Sequence, residues 1–518
     1  MKKKINEMLK KYLPFSFGSN RWGLVCLSQW SKLIFIAVEK VVGGGEGDDE
    51  DVGGVGGRDG SGNSAMVIAA MDSDEGQRRG GGVLWRQRGE PTLVPPAAED
   101  TNNKGTLYFL SNLDINFQGK VLTVYCFNPS DHNGGGHGDD EVLVGVIKNA
   151  LSKALVHYYP VAGRLAMDSD GRPVVDCTGE GAVFVEAKAD CGIEEIGSDT
   201  VAMEKLVASP LLSRIIGHRW STTTRSLLLR SEPEEHRTTR TKAAMGGRNA
   251  GSRKRKNNHG LYQPLGEIAR GFPLKVSPFL DRSILRARNP PQIEFPHTEF
   301  SEIEDISNTS DLYTEEMVYE SFSFDLDKLE KLKMAATKDG GLVKCSTFEA
   351  LSAFIWRSRT QALKLHHDQK IKLLLLVDGR SRFDPPLPEH YFGNGVVFTS
   401  AHSTAGELTE KPLSFAVQLV REAIQRVTDR YMKSAIDYLQ VNGGNASMNA
   451  TLIISSWTRL SFETTDFGWG QPYLVGRTSL PQKEQVLFLS HPTDKKSINV
   501  LIRFPTSSMK IFQKLMHI

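Results

Sequence analysis

The sequence contains no apolar run long enough to cross a membrane. Its most apolar early stretch, residues 22–42, is broken by Ser28, Gln29, Ser31, Lys32 and Glu39, whereas a spanning helix needs about 20 predominantly apolar residues in succession. That stretch also lies too far from Met1, with no small-residue cleavage pattern behind it, to read as a signal peptide. Cysteine is scarce. Cys26, Cys126, Cys177, Cys191 and Cys345 form no CxxC pair and have no histidine placed to complete a zinc site, so no metal centre is expected. A reducing compartment is the simplest reading, and the cytosol is the expected location. An excess of either charge is lacking too: a net charge of +2 with 24% charged residues provides no global field for nucleic acid or a membrane surface.

What is present is length and three textures. At 518 residues and 39% hydrophobic content the chain can bury two cores, and two domains are expected. Residues 1–90 read as a low-complexity, disordered extension, because 43–63 is almost entirely Gly, Asp, Glu and Ser and such composition cannot offset the entropy of ordering. From residue 91 the chain alternates helix and strand patterns. Val144, Ile147, Leu151 and Leu155 share one helical face, and short strands are expected at 173–177 and 182–187. Residues 198–265 break the pattern: between Arg219 and Lys256 there are eleven Lys or Arg against three Glu. Its Arg253-Lys254-Arg255-Lys256 run is read as a solvated charge cluster, since no aromatic platform for nucleic acid accompanies it.

Globular texture returns at Gly266 and continues to the end. Prolines at 290, 291 and 296 mark an extended connector, so the domains are drawn as 91–295 and 296–518. Ser346-Thr347-Phe348-Glu349 is a capping box opening a helix. Strands are expected at 371–377, 451–457, 485–489 and 498–504, which gives layered α/β domains.

Five strings carry a resemblance. Asp466-Phe467-Gly468-Trp469-Gly470 matches the DFGWG motif of the plant BAHD acyl-CoA-dependent acyltransferases. The runs from His157 to Leu165, Thr347 to Leu351, Val377 to Arg380 and Tyr391 to Gly395 resemble further family motifs, in the family's order. The likeness covers residues 91–197 and 266–518. It implies two chloramphenicol-acetyltransferase-like α/β domains with mixed sheets, a monomer, no bound cofactor, and acyl-CoA as co-substrate. Pro278-Phe279-Leu280-Asp281-Arg282 and Glu302-Ile303-Glu304-Asp305-Ile306 look like the branch that feruloylates omega-hydroxypalmitate. That implies a hydroxycinnamoyl group, feruloyl above all, moved from CoA to the hydroxyl of a long-chain omega-hydroxy fatty acid or fatty alcohol, as in suberin and cutin.

Such a transfer needs a base at the acceptor hydroxyl and donors for the tetrahedral oxyanion. The family places its base in a His-x-x-x-Asp-Gly motif. No histidine of this sequence has Asp four residues on: His137 has Glu141, His218 has Thr222, His236 has Arg240 and His259 has Gln263, while Asp494 follows His491 one position too soon. No catalytic residue is therefore assigned. The motif belongs just before Gly266, in the anomalous basic segment, which is read as frame-shifted, misassigned or intron-derived coding sequence. The alternative function is a catalytically inactive homologue that binds a ligand or a partner.

By the resemblance, Ser455 and Trp457 face the substrates, the alternative being a strand end packed in the core, and Asp466 to Gly470 hold the fold. Asp378 and Arg380 are read either as a pair bracing the domain interface or as an ordinary structural salt bridge. His157, beside two tyrosines and a proline, is expected to pack.

Overall fold

The computed structural model describes residues 92–98, 102–116, 123–127, 140–189, 261–444, 448–460, 464–472, 474–477, 484–491 and 494–517, with three strands further upstream. The strands are β1 (Leu33–Glu39), β2 (Ala65–Met71), β3 (Trp85–Arg88), β4 (Thr92–Val94), β5 (Leu107–Phe109), β6 (Thr123–Phe127), β7 (Arg164–Met167), β8 (Pro173–Asp176), β9 (Ala182–Ala189), β10 (Met317–Phe324), β11 (Lys370–Asp378), β12 (Val396–Thr404), β13 (Thr451–Ser456), β14 (Leu474–Arg477), β15 (Gln485–Ser490) and β16 (Ile498–Pro505). The helices are α1 (Asn112–Asn116), α2 (Asp140–His157), α3 (Tyr262–Ala269), α4 (Leu326–Thr337), α5 (Thr347–Ala362), α6 (Ala405–Glu410), α7 (Leu413–Arg426), α8 (Asp429–Asn442) and α9 (Thr506–Leu515).

The C-terminal half is built on a six-stranded mixed sheet of order β10-β16-β15-β13-β11-β12. Strand β13 runs parallel to β11 and β15, and the other neighbours pair antiparallel. Alternation explains the uninterrupted apolar run of β11. Ile371, Leu373, Leu375 and Val377 enter the main core with the helices, while Leu374 and Leu376 join Val396 and Ile453 on the opposite face. Helix α5 lies at the centre of the helical layer, with Trp356 and Ile355 fully buried. It starts where the sequence says it should: Ser346 Oγ accepts the Glu349 amide and Glu349 reaches back to the Ser346 amide. Asp325, Thr404 and Thr428 cap α4, α6 and α8 in the same way, each accepting an amide of the first turn.

The N-terminal sheet has the order β14-β6-β2-β1-β9-β3, with β4 also paired to β9. A small sheet β5-β8-β7 stands beside it. β1, β2 and β3 fall within residues 1–90 and join this sheet, and the rest of that extension lies outside the described residues. One expectation needs correcting: the boundary at 295/296 fails to separate the sheets, since β14 crosses back to pair antiparallel with β6, Leu474 opposite Cys126. The anomalous segment 198–260 lies outside the described residues.

Candidate functional site

The two halves meet around a buried ion pair. Asp114 lies within the single turn of α1, and its Oδ2 accepts the Ser111 amide at 2.9 Å and hydroxyl at 2.7 Å. Arg282 Nη1 stands 3.3 Å from the same oxygen, with neither side chain exposed. The second carboxylate oxygen accepts the Asn394 amide at 2.9 Å, and Asn394 Nδ2 returns a bond to the Leu113 carbonyl at 2.8 Å. Arg282 also donates from Nε and Nη2 to the Phe392 carbonyl, at 3.2 and 3.0 Å. A single carboxylate thus ties α1 to Arg282 and to the turn 391–395. Tyr391 is buried beside it, and burial pushes its phenol well above the usual range, so it stays protonated.

Asp378 and Arg380 lie one layer away. Arg380 Nη1 is 3.0 Å from Asp378 Oδ1, and Arg380 Nη2 donates to the Gly393 carbonyl at 2.8 Å. Burial pushes the Asp378 carboxyl up, opposed by Arg380. The pair therefore fixes the turn whose next residue, Asn394, grips the N-terminal half. Gly395 has to be glycine here: a Cβ would stand 2.6 Å from Arg380 Cγ.

Ser455 and Trp457 share one face of the β13 strand path, opposite the helices. Ser455 pairs in register with Leu487 and is buried. Trp457 donates its amide to the Phe488 carbonyl at 2.7 Å and packs with Leu460, Leu487, Leu489 and Leu501.

The run Asp466 to Gly470 is a docking turn. Asp466 Oδ1 accepts the Gly468 and Gly470 amides at 2.8 and 3.0 Å, and Oδ2 pairs with Arg270 Nη1 of the α3 C-terminus at 3.0 Å. Phe467 and Trp469 stack on each other, ring centroids 5.6 Å apart, and both meet Phe127 of β6 edge-on. Gly266 lets α3 approach, since a Cβ there would lie 2.5 Å from the Asp466 carbonyl. The motif thereby delivers β14 to the N-terminal sheet.

His157 corrects another expectation: it is exposed at the end of α2, and Tyr158 packs instead, 4.8 Å edge-on from Phe392. One cluster was not visible in the sequence. Ser434 Oγ lies 2.8 Å from His297 Nε2, and His297 Nδ1 lies 2.8 Å from Glu299 Oε1. These are the distances of a nucleophile, base and acid relay. Yet all three are buried, and Ser434 Oγ already accepts the amides of Glu294 and Phe295 at 2.8 and 3.3 Å. No electrophile can reach it, so the cluster anchors the connector onto α8. His132, His137, His218, His236 and His259 lie outside the described residues.

Among the described residues no three His, Cys, Asp or Glu converge as metal ligands, and no helix is long and apolar enough to cross a membrane. A cavity of about 130 Å³ beside Pro95, Tyr159 and Cys177 is smaller than a typical small-molecule pocket, roughly 300–1,000 Å³.

The Transferase family model matches residues 90–216 and 259–518, most of the chain. The chain belongs to the BAHD acyltransferase family. The match omits everything before residue 90 and the basic stretch 217–258. The chain is 47% identical over 466 residues to omega-hydroxypalmitate O-feruloyl transferase of Arabidopsis thaliana, covering 86% of this chain and 96% of that protein. It is 46% identical over 441 residues to fatty alcohol:caffeoyl-CoA acyltransferase of the same plant, covering 83% and 98%. The fold is that of vinorine synthase, with a TM-score of 0.54 and 21% identity over 82% of this chain and 96% of that one. The expected α/β fold with mixed sheets stands.

Proposed function

We propose that this chain is an acyl-CoA-dependent O-acyltransferase framework. It takes a hydroxycinnamoyl-CoA, feruloyl-CoA first, and an acceptor whose hydroxyl ends a long alkyl chain, and its transfer step is slow. The observation that carries the substrate classes is the joint likeness at 47% and 46% to two proteins whose names pair a hydroxycinnamoyl donor with a long-chain hydroxyl or alcohol acceptor.

In the reaction the acceptor oxygen attacks the thioester carbon, its proton is taken up, the C–S bond breaks, and the CoA thiolate leaves to be protonated. The ester and free CoA are the products. The Ser455 hydroxyl and the Trp457 indole, two residues apart on one face, are proposed as the groups nearest the substrates, able to donate to the developing oxyanion. Asp378 and Arg380 are proposed to hold the domain interface through Gly393. No histidine is followed four residues on by Asp, and losing a positioned general base costs about 10²–10⁴ in rate.

The protein is proposed to work as a cytosolic monomer. A second reading, a homologue that binds acyl-CoA without transferring it, is favoured by that same missing pair. Product analysis tests the substrate assignment: with feruloyl-CoA, caffeoyl-CoA and acetyl-CoA offered against 16-hydroxyhexadecanoate, hexadecanol and shikimate, the hydroxycinnamoyl esters of the two long-chain acceptors should dominate. A preference for shikimate or for acetyl-CoA would refute it.

A further inference from the structure

Helix α4 turns one face to the core and leaves the other in water. Its Leu329, Leu332 and Ala336 are buried, which turns the stripe Lys331, Met334, Ala335 and Lys338, spaced i, i+3, i+4 and i+7, outward. Met334 is 69% exposed and Val343, in the loop that follows, is 99% exposed; among the described residues these are the two most exposed large apolar side chains.

The loop holds Val343 out. Leu342 and Cys345 on either side of it pack against the main core, Asp339 accepts the Gly341 amide and the Ser414 hydroxyl of α7, and Arg421 of α7 donates to the Lys344 carbonyl. Cys345 Sγ lies 3.9 Å from the Lys333 carbonyl, so the loop returns beside the part of α4 that carries Met334. Charge follows the same surface. From Leu326 to Lys344 there are five lysines, at 328, 331, 333, 338 and 344, against Asp327, Glu330 and Asp339, a local balance of +2. Lys333 pairs with Glu330 at 2.6 Å, whereas Lys331, Lys338 and Lys344 meet no carboxylate among the described residues.

Composition separates lipid from protein as the occupant. Protein interfaces are rich in aromatic residues and arginine and poor in lysine, and the outward residues of this patch include no aromatic and no arginine. Aliphatic side chains ringed by lysines, whose stems lie along an apolar layer while the ammonium stays wet, are the composition of a surface-bound helix. We propose that α4 and the 338–345 loop are a docking surface for an anionic lipid membrane, with Met334 and Val343 entering the acyl boundary and Lys331, Lys338 and Lys344 meeting headgroup phosphates. The docking is peripheral, and the net charge of the whole chain conceals it by averaging over 518 residues. It places the enzyme where a long-chain acceptor partitions; that consequence rests on the acceptor class proposed above, and the docking itself does not.

Vesicle sedimentation tests the docking without substrate or transfer. The full chain should bind vesicles of mixed phosphatidylcholine and phosphatidylserine at least tenfold more tightly than phosphatidylcholine alone, and less tightly as salt rises. Lys331→Gln with Lys338→Gln and Lys344→Gln should lower affinity for the mixed vesicles at least tenfold, since each lysine near an anionic surface is worth about a fivefold change. Met334→Ser with Val343→Ser should lower it at least fivefold, with the thermal midpoint unchanged because both side chains already stand in water. Val441→Ser, at an exposed valine of α8, should leave it unchanged. Absence of binding to the mixed vesicles would overturn the proposal, as would binding that none of these substitutions alters, or an equal loss from Val441→Ser.

Discussion

Arg282 and Asp114 stand 3.3 Å apart with no side-chain exposure, and 168 residues of sequence separate them. The Asp114 carboxylate accepts three further hydrogen bonds, from the Ser111 amide, the Ser111 hydroxyl and the Asn394 amide, so the pair joins the two halves of the molecule through one carboxylate. Removing one member of a buried pair leaves an uncompensated charge. Arg282→Met should destabilise the protein by about 3–5 kcal/mol, read as a drop in the urea midpoint. Adding Asp114→Asn should cost less than the two single losses combined, because the charges then vanish together. Additive losses would show that the two side chains do not act as a unit.

Lys372 makes a pH prediction. Its Nζ is buried and donates to the carbonyls of Glu299 and Ser301 at 3.1 and 2.7 Å. Burial pulls its pKa down from 10.5 to about 8, with Glu299 opposing. A lysine with a lowered folded pKa is protonated more readily in the unfolded chain, so between about pH 8 and 10.5 the unfolded state binds more protons and stability rises with pH. Lys372→Met should remove that rise. The measurement is the difference in unfolding free energy between the two proteins at pH 7.5 and pH 10. A difference that does not change with pH would contradict the assignment.

Phe467→Ala should destabilise by about 3–5 kcal/mol, the usual cost of emptying a buried aromatic site, because the ring packs between Trp469 and Phe127 where β14 joins β6. Acyl-CoA affinity, measured on the folded fraction, should stay within about twofold, since the motif holds a strand in place. A selective loss of affinity at unchanged stability would give the motif a binding role instead.

How much of this was legible beforehand follows the range of the interactions. The capping box at Ser346 and the runs that became β11, β13, β15 and β16 are local signals, and the structure places them within a residue or two of where the pattern did. Helix α2 and strands β8 and β9 were read the same way. The return of β14 to the N-terminal sheet was not legible, because nothing in a four-residue strand names a partner some 350 residues earlier. Arg282–Asp114 and His297–Glu299–Ser434 are likewise pairings across the chain that no spacing rule encodes. β1 and β2 did leave a signal. The apolar stretch containing β1 fails the requirements of a membrane span and of a signal peptide, and a seven-residue strand meets a different one.

Ser455 tests the substrate-facing face. Ser455→Ala should lower whatever transfer the chain performs by about 10²–10³, the range seen when an oxyanion donor is lost, while the thermal midpoint moves by less than about 3 °C, as expected for a change near 1 kcal/mol. Unchanged CoA release, or a large loss of stability, would return the residue to a packing role in the sheet.

The central claim is that the chain keeps the family's binding framework without its general base. Feruloyl-CoA binding by calorimetry and CoA release in the presence of 16-hydroxyhexadecanoate, measured on one preparation, test it most directly. The account predicts saturable binding together with CoA release about 10²–10⁴ times slower than that of a relative carrying the histidine motif. Release at the relative's rate would contradict it, and so would a folded protein that binds no feruloyl-CoA.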